Sequence, residues 1–189
     1  MSDEIVDPNW QKRWDVLWRV WISHTYHRKR ERFFDTWDRI FKAVAVIGGS
    51  AALAKLGNVP AFKDLGGPEA LAWIALGITV TSTISLVFGF AEKARRHADL
   101  ASQFKKMEAD IYRAGDSDFS DAEAATWQAR VAEIEVAEPA TLYALTQLCE
   151  RELNIAKGHP ERGPKLSLFK RLFAQLWSFS PPTAPVASR

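Results

Sequence analysis

Residues 70–91 (ALAWIALGITVTSTISLVFGFA) carry no charge, and this run constrains the chain more than any other feature. As an α-helix it rises ~33 Å, against a hydrocarbon core of ~30 Å. A buried helix of a soluble domain is usually shorter and shows charge along one face. Pro68 stands just before the run, where a helix start tolerates it, and Trp73 lies near one end, at a depth that suits an interface. The run reads as a membrane span. The competing reading is a soluble bundle with one very apolar helix.

A second apolar stretch precedes it. Only residues 43–54 are free of charge there, which is short for a span, but Lys42 and Lys55 can snorkel to headgroups. Together the two form a predicted hairpin with spans at about 40–58 and 69–91. Nine Lys and Arg residues, from Lys12 to Lys42, precede the first span, and Lys93, Arg95, Arg96, Lys105 and Lys106 follow the second. The connecting segment, 56–69, holds only Lys63. Positive charge favours the cytoplasmic side, so both termini are expected there, with the protein in an inner membrane.

The flanks read as helices. Trp10, Trp14, Leu17, Trp18 and Trp21 fall on one face of a helix over 8–39, with a break expected near Ser23. That face suits packing against other helices. The alternative is an interfacial helix, for which Trp10, Trp14, Trp18, Trp21, Arg95, Arg96 and Trp177 are the membrane-interface candidates. Past the second span the helix is expected to continue unbroken to Gly115, with Leu100, Phe104, Met107 and Ile111 as its apolar face. Ser120 and Glu123 have capping-box spacing, so another helix starts there and runs to about Glu138. Pro139 is expected to open the next, which Gly158 ends. After a linker, KLSLFKRLFAQLWSF reads as a short basic amphipathic helix with Leu166, Phe169, Leu172, Phe173, Leu176 and Trp177 on one side; membrane docking is preferred for it. The end, PPTAPVASR, reads as disordered. The expected organisation is an N-terminal amphipathic helix (1–38), a transmembrane hairpin (39–91), a cytosolic helical region (92–158), and a linker, basic helix and tail (159–189). The fold class is all-α: a two-helix transmembrane hairpin whose long helices extend into a cytosolic helical body.

Signals for chemistry are sparse. A net charge of +2 gives no nucleic-acid footprint, so no nucleic-acid partner is expected. One cysteine, Cys149, allows no intramolecular disulfide and argues against a Cys-based zinc site. The first ten residues lack the basic start and apolar core of a secretory signal. His24 and His27 stand at i, i+3, a spacing that can share a metal, but no further ligand motif accompanies them. His97 follows Arg95 and Arg96; packing or a headgroup contact is favoured there over a pH-sensing role. No catalytic, cofactor or metal site is expected. Inside the second span, Gly77, Thr81, Ser85 and Gly89 repeat every four residues as a small-residue stripe for helix packing, and Gly48, Gly49 and Ala52 offer a matching surface on the first. Thr79, Ser82 and Thr83 lie on a different face. Hydroxyls there either bond back to their own helix or line a water-filled path in a homo-oligomer.

The chain resembles the bacterial SLATT domains in TYHRKRERFFDTW (25–37), the two spans, and EKARRHADLASQFKKMEADI (92–111), a likeness covering roughly residues 10–155. SLATT proteins are thought to be membrane effectors of bacterial conflict systems. The resemblance implies a pore-forming, anti-phage effector that acts in membrane lipid as a homo-oligomer. Its trigger would be a separate nucleotide-sensing or nucleotide-producing protein. The alternative is a non-conducting anchor or scaffold that recruits a soluble partner through its cytosolic helices. An enzyme ranks below both.

Overall fold

The computed structural model describes residues 8–57, 59, 69–115 and 120–179. Most of the predicted outer loop and the proline-rich tail lie outside the described residues. The described residues are all-helical: α1 (Pro8–Leu56), α2 (Ala70–Phe88), α3 (Phe90–Arg113), α4 (Asp121–Val136), α5 (Tyr143–Ala156) and α6 (Leu168–Phe173). The chain divides into two compact units, Met1–Arg30 with His97–Arg189, and Glu31–Arg96.

Helix α1 is 49 residues long and passes Ser23 without the expected break. Ser23 is half-buried between Val20 and His27, both fully buried, so tertiary packing holds the helix through that point. Burial along α1 recurs every seven residues. Arg13, Val20, His27 and Phe34 are buried, and Phe41, Gly48 and Lys55 are half-buried. Such spacing keeps one stripe of a helix turned toward a single neighbour.

In the first unit that neighbour is α3. Val16, Leu17, Val20 and Trp21 pack with Leu100, Phe104, Met107 and Ile111, the face the sequence marks out. The seam is wider than expected, since Ala101 is also buried. Helix α4 adds Ala124, Trp127, Val131 and Ile134 to the same core. It opens with the predicted capping box: Ser120 Oγ accepts from the Glu123 N–H, and the Glu123 carboxylate accepts from the Ser120 N–H. The Ser120 N–H and then the Ser120 hydroxyl, both donating to the Glu123 carboxylate, hold that carboxyl below its ordinary range. Ion pairs tie α1 outward, from Lys12 to Asp121, from Arg19 to Glu135 and from Lys29 to Glu152.

A second cluster joins Tyr26 to Ala144, Leu145, Cys149 and Ala174. Cys149 is fully buried there, and burial pushes its thiol up to about 12. Pro139 does not open α5. Leu142, in an extended conformation, is the N-cap, and its N–H donates to the Tyr26 hydroxyl at 3.0 Å. Anchoring on α1 thus outcompetes the helix-initiating tendency of Pro139. Gly158 adopts φ 83 just beyond the helix, as expected of a residue ending it.

Phe104 is fully buried at the centre of the first core. Phe104→Ala is expected to lower stability by about 3–5 kcal/mol. Tyr112→Ala, at a half-exposed position on the same helix, should cost within about 1 kcal/mol. Denaturant unfolding followed by near-UV circular dichroism reads both.

Candidate functional site

In the second unit the buried stripe of α1 changes character. Its seam residues are Phe34, Asp38, Phe41, Ala45, Gly48 and Ala52, so beyond Phe41 the seam is small. The outer face is apolar instead, with Val46, Ile47 and Leu53 each about two-thirds or more exposed. Helix α2 is also apolar on its outward side. It has no buried residue, and Trp73, Leu86 and Val87 are largely exposed. Its half-buried positions are Ala70, Leu71, Ile74, Ile78, Thr81, Ile84 and Ser85, so its isoleucines face the small seam of α1. A helix pair packed for water would place polar groups on its outward faces. Here large apolar groups cover much of both.

The two arms run antiparallel, since Gly48 meets Ile74 and Ile78 while Phe41 meets Phe90. A Cβ at Gly48 would lie 2.9 Å from Ile78 Cγ1. The missing side chain is what lets the isoleucine enter. Thr81, Ser85, Gly48 and Ala52 of the predicted packing set therefore sit on the half-buried seam faces. Gly77 and Gly49 do not close on a neighbour, because a Cβ on either would meet nothing within 4 Å. The register that points Ile74 and Ile78 at α1 turns Gly77 outward. Gly89 is half-buried and has a second role. It adopts φ 56, ψ 46 and caps α2 through a bond from its N–H to the Ser85 carbonyl. The predicted continuous helix is interrupted there, since only glycine takes this left-handed conformation without steric cost.

The candidate pore-lining hydroxyls are exposed. Thr79 donates to the Ala75 carbonyl and Thr83 to that of Thr79, both at 2.8 Å. They are satisfied within their own helix. Ser82 lines a shallow cleft of about 490 Å³ with Asp38, Phe41, Lys42, Ala45 and Ser85. Asp38 is buried at the edge of this cleft and paired with Lys42 at 2.6 Å. Aromatic rings gather at this end of the unit: Phe34 and Phe41 pack on Phe90, which stacks on Phe88. Lys93 lies over the rings of Phe34 and Phe88.

Among the described residues, one helical run, Ala70–Arg113, is long and apolar enough to cross a membrane. Its most apolar window has a mean hydropathy of 1.9 and holds no buried residue. The apolar part of α1 falls short, being bounded by Lys42 and Lys55. Arg95, Arg96 and Trp177 are exposed, as interface candidates must be. The N-terminal tryptophans are mainly packed. Trp21 is buried, donates its indole N–H to Glu108 at 3.0 Å and lies under Lys157, which removes it from any lipid contact. Trp14 and Trp18 lean on the same core, and Trp10 is 44% exposed.

The first unit holds a buried polar chain that residue spacing did not announce. His27 Nδ1 lies 2.8 Å from His97 Nδ1, and His27 Nε2 lies 2.9 Å from Glu138 Oε1. A carboxylate accepts, so the His27 Nε2–H donates to Glu138. With His27 neutral, its Nδ1 is then the acceptor for the Nδ1–H of His97. His27 is fully buried and stacks on Phe104. Two nitrogens on one zinc ion would stand about 3.3 Å apart, so 2.8 Å is the spacing of a shared proton. Among the described residues no group of three or more His, Cys, Asp or Glu is placed to hold a metal. His24, i−3 from His27, is half-buried with its pKa lowered, first by desolvation and then by Lys105. The chain joins α1, α3 and the segment before α5, and fixes their register.

Glu138→Ala strips the partner from a buried His27 N–H, at an expected cost of about 1–3 kcal/mol. Glu138→Gln keeps an acceptor and should recover most of it. Thermal melts separate the two, and equal stability of all three proteins would deny the chain a structural role. In the hairpin, Gly48→Leu is expected to cost about 1–3 kcal/mol by overpacking. Gly77→Leu, pointing into open space, should leave the hairpin's resistance to unfolding by sodium dodecyl sulfate unchanged.

Comparison with models of protein families, with curated proteins and with solved structures found no match to the chain.

Proposed function

We propose that the protein is a bacterial inner-membrane effector of the SLATT kind, in which residues 40–58 and 69–91 insert as a hairpin and an oligomer permeabilises the bilayer. The observation that carries this reading is the outward apolar surface: Val46, Ile47, Leu53, Trp73, Leu86 and Val87 are largely exposed, and α2 holds no buried residue. In lipid the outward groups are solvated by acyl chains, and the small seam lets the arms approach closely. The first arm reaches the headgroups through Lys42 and Lys55. Both termini and the helical body belong on the cytoplasmic side by the lysine and arginine asymmetry.

Permeabilisation rests on the resemblance to SLATT domains, with support from the faces left over. Thr79 and Thr83 share one outward face of α2, and Gly77 opens on another, which leaves two patches, one hydroxylated and one small, for further copies. Two arms alone cannot enclose a water path, so conduction needs several copies. The trigger is proposed to be a separate nucleotide-sensing or nucleotide-producing protein.

Controlled expression in a bacterium, alone and with the proteins encoded beside it, tests the reading through membrane potential and entry of an impermeant dye. Depolarisation is expected under one of these conditions. Gly77→Leu should weaken both oligomers in mild detergent and depolarisation while leaving the fold intact. An unaltered potential in every combination would favour the non-conducting anchor. Reporter fusions at residues 1 and 189 should both be cytoplasmic, and a periplasmic C-terminus would leave a single span.

A further inference from the structure

We propose that α6 and the turn after it dock flat on the surface of an anionic bilayer. The inference rests on the membrane reading of the hairpin and adds a second, peripheral contact with lipid. Helix α6 exposes Leu168 at 75%, Phe169 at 63% and Leu172 at 76%, and Trp177 beyond it at 68%. At 3.6 residues per turn, Leu168, Phe169, Leu172 and Phe173 fall on one arc roughly 140° wide. A water-facing helix would place polar groups on that arc. What ties the segment to the rest of its unit lies elsewhere: Ala174 is fully buried, and Arg30 donates to the Gln175 carbonyl at 2.7 Å. The segment is thus held by its far side, with its apolar side left open.

Charge selects the occupant. Residues 163–179 contain Lys165, Lys170 and Arg171 and no Asp or Glu. These three cations make no ion pair among the described residues, and Lys170 lies over the Phe179 ring. A partner helix of ordinary composition would meet a one-signed rim. An anionic headgroup layer matches it, with each basic residue contributing electrostatically and the apolar arc entering the acyl boundary. Phe169, Phe173, Trp177 and Phe179 also wall an apolar recess of about 490 Å³, wide enough for a stretch of acyl chain. Tryptophan at the edge of such a face is the residue type that favours interface depth.

The test uses the full chain reconstituted in vesicles of phosphatidylcholine, with or without phosphatidylglycerol. A nitroxide is placed at Leu172→Cys, and separately at Val80→Cys in α2. Native Cys149 is fully buried and should not react. Relaxation by oxygen and by a water-soluble nickel chelate reports depth. The Leu172 label is expected to be oxygen-accessible and nickel-shielded in anionic vesicles, and to lose that protection in neutral vesicles or high salt. Lys165→Gln, Lys170→Gln and Arg171→Gln should each lower the docked-to-free ratio about fivefold, with Val80 unaffected. A nickel-accessible Leu172 label beside a shielded Val80 label would overturn the docking proposal alone. A Leu172 label shielded from both reagents would mean a protein occupant, and overturns it too. A nickel-accessible Val80 label would remove the membrane reading, and the docking proposal with it.

Discussion

One stripe on α1 carries the molecule. Every seventh residue from Arg13 to Lys55 turns inward, and each unit is built by laying helices on that stripe. A 49-residue helix has far more surface than a small chain can cover. Concentrating burial on one line makes the cover possible, with apolar contacts in the first unit and close backbone approach in the second. The energetic basis differs accordingly. Burial of Phe104, Met107 and Leu17 away from water drives the first. Gly48 admitting Ile78 is a matter of shape, which is the term that remains where the surroundings are themselves apolar.

The same stripe holds the polar insertion that fixes alignment. His27 sits on it and finds His97 and Glu138. Asp38, one turn beyond Phe34, pairs within its own helix with Lys42, which offsets its burial without setting a register. A sliding apolar seam tolerates several registers, whereas a buried imidazole with two partners tolerates one. Cost and specificity travel together at His27, because both its ring nitrogens are partnered where they are buried.

Much of this was legible in the sequence. The α-only character, the apolar run of α2, the α3 face from Leu100 to Ile111 and the capping box at Ser120 all follow from periodicity and local chemistry. What was hidden depends on contacts distant along the chain. Nothing near Glu138 marks it as a partner of His27, 111 residues away. The start of α5 moved from Pro139 to Tyr143 because Tyr26 captures the Leu142 N–H. Four-residue spacing of Gly77, Thr81, Ser85 and Gly89 suggested one contact face. The structure uses Thr81 and Ser85, turns Gly77 outward, and spends Gly89 on a left-handed cap. Periodicity identified a candidate stripe but not which of its edges meets the neighbour. The one sequence signal for His27 is its seven-residue interval to Val20 and Phe34, diluted because the stripe changes composition along its length.

The two arms of the hairpin differ in apolar length. Between Lys42 and Lys55 the first offers twelve uncharged residues, ~18 Å of helix, whereas α2 offers nineteen, ~28 Å. On the proposed insertion of both arms, a bilayer could not match both at once. On the short side it would thin or draw the lysines' stems inward, and on the long side it would stay relaxed. Elastic cost would then concentrate along one flank of each copy. Bringing short flanks together removes the strained lipid between them, so the membrane itself would supply an attraction that grows with bilayer thickness. Assembly would then respond to lipid chain length and be weakest in the thinnest membranes.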